Sequence, residues 1–287
     1  LQVGLLMAIY SGMQFLCSPF WGRLSDRIGR RPVLLLSIAG TTLAHLMFYF
    51  SNSLVLLFVA RGLAGLFGAN ISTATAYIAD VTGSKDRSKN MGLIGAAFGL
   101  GFICGPALGG LLTVFGEQTP ALGASIISAL NFILAYFVLH ESLPLENRRA
   151  LGGPRTSRLK RIFMNLSRPI VGPLLFVHFA VGLAMANMEA SLFLYVQDIF
   201  GWDTRKASYG FAYVGICIAF TQGLIVRRAL PKLGERLLLV VGMSLFACSF
   251  LGVGFASTIA ILAVSMTVLA LGQGLTNPSV TGAVSLL

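Results

Sequence analysis

The chain has 287 residues and a formal net charge of +11; 56% of its residues are hydrophobic and only 11% charged, against about 25% charged in a soluble domain. That leaves too little polar surface to cover a water-soluble body of this size, which argues against soluble enzymes, nucleic-acid-binding domains and disordered tails. A mean hydropathy of +0.82, with 33 glycines and 21 phenylalanines, suits membrane helices.

A bilayer-crossing helix needs about 20 predominantly apolar residues. Nine runs meet that length: 2–20, 32–51, 54–81, 90–115, 119–140, 170–199, 206–226, 236–256 and 259–287. They do not alternate, so tilted barrel strands of roughly 10 residues are a poor fit. Cys17, Cys104, Cys217 and Cys248 all lie inside these runs and match no metal spacing, so they read as small packing residues. No His, Cys and acid cluster predicts a metal, and no G-x-x-x-x-G-K-[ST] loop predicts ATP; no cofactor is expected.

The connections sort the charge. Arg23, Arg27, Arg30 and Arg31 follow the first run, and Lys85, Arg87 and Lys89 the third. Seven basic residues from Arg148 to Arg168 follow the fifth, and Arg227, Arg228, Lys232 and Arg236 the seventh. The other connections carry only Arg205 and Lys206, and Arg61 lies inside a run. The positive-inside rule makes the basic side cytoplasmic. The net charge is then an orientation signal, because nucleic-acid binding would need one continuous basic face with stacking aromatics. Leu1 is thereby placed on the outer side, which predicts a further helix before it. Trp21 and Trp202 fall at opposite predicted interfaces, as anchoring aromatics do.

An internal repeat is visible. Residues 22–31, GRLSDRIGRR, align without gaps to 227–236, RRALPKLGER, and Asn70-Ile71-Ser72 aligns to Asn277-Pro278-Ser279 at nearly the same offset. Each half holds elements that the other lacks. The predicted whole is two six-helix repeats: residues 1–140 form the first, 141–169 a basic cytoplasmic linker, and 170–287 the second.

The motifs in these positions resemble the major facilitator superfamily. Gly22, Asp26, Arg27, Gly29, Arg30 and Arg31 match its loop motif G-x-L-x-D-R-x-G-R-R. Arg61, Gly65 and Ala69 resemble R-x-x-x-G-x-x-x-A. Gly92, Gly101, Gly105, Pro106, Gly109 and Gly110 match G-x8-G-x3-G-P-x2-G-G, the antiporter motif of drug:proton exchangers of the tetracycline-efflux type. The second loop copy departs from the pattern with Arg227 for glycine and Pro231 for aspartate.

The resemblance implies an all-α integral membrane protein of the major facilitator fold. The nine spans are then helices 2–10 of twelve, with helices 1, 11 and 12 missing. It implies export of small hydrophobic or cationic compounds against protons, by a monomer in the plasma membrane (the inner membrane of a bacterium). It further implies that the loop motif stabilises an outward-open state. Uptake of a sugar or other metabolite, and a non-transporting receptor or scaffold, are the alternatives.

The residues support parts of this independently. Asp26 stands among four arginines, where it can pair with a base or cap a helix N-terminus. Gly101, Gly105 and Gly109, spaced by four, predict a bare stripe for close helix packing, and Pro106 permits a bend. Charges at membrane depth are costly, so each is a functional candidate. Arg61 lies roughly 10 Å and Glu189 roughly 15 Å from the outer end of its run, at 1.5 Å per residue. Glu189 is the one acid well inside a run, the position a proton-coupling carboxyl requires. Asp80, near Lys85 and Arg87, reads as part of an inner-surface charge network. His45 and His178 read as packing histidines. Gln14, Asn70, Asn187, Gln222, Gln273 and Asn277 are polar at membrane depth, where helix-to-helix hydrogen bonding is the commoner use. Asn70 and Asn277 stand out as repeat-related, and with Asn187 they join the substrate-cavity candidates.

Overall fold

The computed structural model describes residues 2–82, 87–148 and 171–285, and all regular structure among them is helical. Among the described residues, eight stretches are long and apolar enough to cross a bilayer, and they fall on the predicted spans other than 90–115. That last one lies in a helix running Arg87–Leu112 and ending in a short 3-10 turn. Most of the predicted linker, from residue 149 to 169, lies outside the described residues.

The chain divides into two compact units. The first comprises Leu1–Gly95 and Leu111–Pro154, and the second Ala96–Gly110 and Arg155–Leu287. In the first, α1 is Gln2–Ile28, α2 Arg30–Tyr49, α3 Leu54–Gly68 and α4 Ile71–Val81. α5 is Arg87–Leu112, whose middle groups with the second unit, and α6 is Thr119–Val138. α3 packs on both α1 and α2, and α2 packs on α6. Thr42 and Ser128 join hydroxyls across the α2–α6 seam at 2.9 Å.

The run 54–81, read from sequence as one helix, is broken between Gly68 and Ile71. A break at this depth frees carbonyls that no water can satisfy, so other groups must. Trp21 Nε1 donates to the Leu66 carbonyl, Ser37 Oγ to that of Phe67, and Gln14 Nε2 to that of Gly68 at 3.0 Å. Asn70 Nδ2 in turn donates to Ser37 Oγ at 2.6 Å. Trp21 is therefore not an interfacial anchor: it is 3% exposed, its ring packs on Phe67, and its N–H is spent on the break.

In the second unit, α7 is Val171–Phe200 and α8 is Thr204–Phe220, continued by a π-helical turn over Thr221–Val226. α9 is Arg227–Gly254 and α10 is Ile259–Ser285. One apolar core joins α7, α8 and α10, with Met185, Met188 and Leu192 packed alongside Leu269 and Ala270. α9 and α10 cross with their backbones in contact: a Cβ on Gly272 would sit 2.6 Å from the Phe246 nitrogen and 2.8 Å from the Gly242 carbonyl oxygen. α10 runs unbroken past Asn277, so the break beside Asn70 has no counterpart in the second copy.

Both copies of the loop motif contain the same backbone feature. Gly29 has φ 110° and ψ 161°, and Gly234, its partner in the repeat, has φ 74° and ψ 162°. The repeat read from sequence is thus also a repeat of chain geometry, since these angles favour glycine.

Ser37 is fully buried and serves both as donor to Phe67 and as acceptor from Asn70. Ser37→Ala leaves the part-buried Phe67 carbonyl and Asn70 amide without this partner, at up to about 1–3 kcal/mol each. Thermal unfolding of the purified protein should therefore shift down clearly, and an unchanged transition would show that the break is held by other means.

Candidate functional site: a charge cluster and two embedded charges

The α1–α2 turn builds its site around Arg30. The side chain comes back along α1, and its planar fork serves several acceptors at once. Nη1 donates to Asp26 Oδ1 at 2.6 Å and to Ser25 Oγ at 2.7 Å, and Nε donates to Asp80 Oδ2 at 3.1 Å. Ser142 Oγ also donates to Asp80 Oδ2, at 3.2 Å. Asp80, expected beside Lys85 and Arg87, is thus held by Arg30 and Ser142. Lys85 lies outside the described residues, as does the side chain of Arg87.

Glu141 completes the cluster from just beyond α6. Its Oε1 accepts the Arg30 backbone N–H at 2.8 Å and that of Leu143 at 3.0 Å, and its Oε2 lies 3.7 Å from Arg148 Nη2. Sequence reasoning allowed Asp26 to cap a helix, yet the acid at the N-terminus of α2 is Glu141, where the helix dipole favours a carboxylate. Gly29 makes room for it, since a Cβ there would overlap the Glu141 carboxylate and lie 2.9 Å from Arg148 Nη2. Nothing in the local motif announces Glu141, because the contact spans 111 positions.

The remaining motif residues play smaller parts. Arg31 Nη2 donates to the Tyr136 carbonyl at 2.8 Å, and its guanidinium lies over the Tyr136 ring. Arg27 is exposed in the last turn of α1, favourably placed for the helix dipole. A Cβ on Gly22 would meet only Ser72 Oγ, at an ordinary 3.6 Å.

Arg61 and Glu189 belong to different units. Arg61 is half-buried in α3 with its guanidinium between two rings, 5.8 Å from the Tyr10 centroid and 5.1 Å from that of Phe48. Its Nε is buried without a hydrogen-bond partner. Ring faces are electron-rich and attract a desolvated guanidinium. His45 lies within electrostatic reach of it on α2. Gly65, one turn on, sits against the Tyr10 carbonyl at the α1–α3 crossing.

Glu189 is half-buried on α7, and no hydrogen bond or ion pair to it is present among the described residues. Asn187 is exposed and bonds the Leu183 carbonyl of its own helix at 2.9 Å. Asn70 is engaged at the α3–α4 break. The side chains of Asn277 and His178 lie outside those described.

α5 is helical through Pro106. Among the described residues, nothing lies within 4 Å of where a Cβ on Gly101, Gly105 or Gly109 would start. The close approach belongs to Gly110, where a Cβ would sit 2.7 Å from Ser208 Cβ on α8. Gly92 lies in α5, and its side-chain position is outside those described.

Spanning helices in two units, a charge cluster at a helix turn and isolated charges at membrane depth together define a multi-pass membrane protein of the secondary-transporter class. The sequence profile of the Major Facilitator Superfamily matches residues 1–287. The chain is 35% identical over 258 residues to "Tetracycline resistance protein, class C" of Escherichia coli, covering 88% of this chain and 64% of that protein. It is 32% identical over 266 residues to "Multidrug resistance protein 2" of Bacillus subtilis (strain 168), covering 90% and 66%. Its fold is similar to the crystal structure of the human organic anion transporter MFSD10 (TETRAN), with a TM-score of 0.74 and 27% identity, over 98% of this chain and 69% of that one. The chain thus spans 64% to 69% of the length of these relatives. It belongs to the Major Facilitator Superfamily, a family of transporters.

Two substitutions separate the roles of the glycine geometry. Among the described residues, Gly234→Ala meets nothing within 4 Å and loses the favourable backbone angle, roughly 1–3 kcal/mol. Gly29→Ala loses that and also displaces Glu141, so its thermal transition should fall further. Equal transitions for the two would remove the notch for Glu141 from the account.

Arg30→Lys tests the cluster itself. Lysine keeps the charge but cannot span Asp26, Ser25 and Asp80 with one planar fork. The thermal transition of the purified protein should therefore fall; an unchanged transition would show that the bridging fork does not hold the cluster together.

Proposed function

We propose that this chain serves a proton-coupled antiporter exporting small hydrophobic or cationic compounds, with its basic loops in the cytoplasm and the plasma membrane as its location. Glu189 carries the reading. It is a half-buried carboxyl in a spanning helix with no partner among the described residues, and an exchanger needs a site whose charge changes as proton and substrate trade places. The helix-5 motif and the similarity to tetracycline and multidrug resistance proteins support the outward direction.

The chemistry follows from electrostatics. A negative charge in a low-dielectric setting attracts either a proton or a cationic substrate, and occupancy by one disfavours the other. The Arg30 cluster supplies a contact that can exist in one conformation and break in the other. A ligand shifts such an equilibrium only by its differential affinity for the two states. Asp26, Asp80 and Glu141 would accordingly set how far the resting state is biased, and Glu189 would set what can shift it.

Arg61 favours a second reading. It is a cation held by ring faces with no ion pair among the described residues, and the similar human structure is that of an organic anion transporter. An anionic substrate would use Arg61 where a cationic one uses Glu189.

Glu189→Gln distinguishes these in proteoliposomes of the complete transporter. It mimics a permanently protonated carboxyl, so uphill export of a cationic dye driven by a proton gradient should be abolished, while downhill exchange of a neutral compound continues. Uphill export with unchanged pH dependence would place the coupling acid elsewhere. Selective loss of anion flux in Arg61→Gln, with Glu189→Gln silent, would favour the second reading.

A further inference from the structure

Thr73 is fully buried on α4, close behind the break between α3 and α4, and its hydroxyl has no hydrogen-bond partner among the described residues. A polar group left unpaired away from water costs stability. Other threonines in this chain avoid that cost by donating to the carbonyl four residues back. Thr42 donates to Ile38, Thr75 to Ile71, Thr267 to Ala263 and Thr276 to Gly272, at 2.7 to 2.9 Å. The carbonyl four residues back from Thr73 belongs to Ala69, where α3 ends. The break therefore withdraws the acceptor that a continuous helix supplies.

The step between the two forms is small. Ala69 has φ −73° and ψ 21°, and Asn70 has φ −91° and ψ −2°. Both lie beside the right-handed helical region, and turning ψ by about 60° and 40° brings them into it. Side chains hold the broken form: Gln14 donates to the Gly68 carbonyl, Ser37 to that of Phe67, and Asn70 to Ser37. A continuous helix pairs those carbonyls with its own N–H groups. Each form thus satisfies polar groups that the other leaves, so the balance between them is set by named side chains. α4 carries the change outward. Asp80 lies roughly 14 Å along it from Ile71, at 1.5 Å per residue, and accepts from Arg30 Nε at 3.1 Å.

We propose that the α3–α4 junction is a two-state hinge. In one state it is broken and held by Gln14, Ser37 and Asn70. In the other it is continuous, with the Thr73 hydroxyl on the Ala69 carbonyl. The Asp80–Arg30 contact at the far end of α4 biases the hinge toward the broken state. The assignment is independent of what the protein transports and in which direction.

The test measures spin-label distances in the complete transporter, reconstituted in lipid nanodiscs. Cys17, Cys104, Cys217 and Cys248 are replaced by alanine, and labels are attached through Val81→Cys on α4 and Leu130→Cys on α6, both exposed positions. One distance population should dominate in this background. Ser37→Ala should add a second population, raising its ratio to the first by about fivefold or more. Gln14→Leu should do the same if Ser37→Ala impairs folding, and Asp80→Asn should add the same second distance. Thr73→Val, combined with whichever variant shows the second population, should remove it, because valine cannot donate to Ala69. Thr73→Val alone should raise the thermal transition, since it deletes a buried hydroxyl without a partner. A single distance in every variant would overturn the hinge, and a second population indifferent to Thr73→Val would overturn the role of the hydroxyl. A lowered thermal transition in Thr73→Val would show that the hydroxyl is bonded in the broken form, and would overturn the proposal as well. No second distance in Asp80→Asn would overturn the coupling to Arg30.

Discussion

The first unit depends on what happens to three carbonyl oxygens. In a hydrocarbon setting an unpaired backbone group costs several kcal/mol, so a spanning helix can break only where other side chains take over its hydrogen bonds. Trp21, Ser37 and Gln14 do so for Leu66, Phe67 and Gly68. Because these donors come from α1 and α2, the break also fixes the register of both helices against α3. That register brings the far end of α4 beside the α1–α2 turn. Asp80 then reaches Arg30, so a polar requirement in the membrane sets the charge cluster at its edge.

The two copies of the loop motif show how one geometry supports different chemistry. Gly29 and Gly234 share a helix–kink–helix path, with ψ equal within one degree. Around it the charges diverge. Asp26 corresponds to Pro231, and Arg30 corresponds to Glu235. Glycine is retained because the path demands it, whereas the cluster centred on Arg30 is built from residues that the second copy does not repeat. The backbone alone therefore does not make a gate. What sets the first copy apart is the bridging arginine, which holds Asp26 and Asp80 with its side chain and Glu141 through its backbone N–H.

The two embedded charges meet the membrane differently. Arg61 has ring faces on two sides, which stabilise a cation without a formal counter-charge and leave one N–H unpaired. Glu189 lies on the helix whose neighbouring positions, Met188 and Leu192, enter the apolar core. A guanidinium stays charged under all ordinary conditions, while a carboxyl can exchange its proton. The two residues therefore differ in kind: one is a guanidinium between rings, the other a carboxyl beside an apolar core.

Much of the architecture was legible in the sequence. Run length and loop charge predicted the spans, and eight stretches among the described residues have the required length and apolarity. The gapless match of 22–31 with 227–236 predicted a repeat that the paired glycine angles reproduce. Such features are local: hydrophobic length, glycine position and charge counts need no knowledge of neighbours. The break at Gly68–Asn70 was not legible, because apolarity continues across it and its cause lies in side chains 30 to 54 positions away. Nor was Glu141, an acid outside any motif that reaches Arg30 only when α6 lies against α2. Asp80 was assigned to nearby bases in the chain, and folding gave it to a distant one. Sequence by itself determined which segments enter the membrane and where the chain must turn, because the cost of polar groups in hydrocarbon acts residue by residue. Tertiary structure alone decided which polar groups meet, because hydrogen bonds and ion pairs act over a few ångströms and depend on how the helices pack.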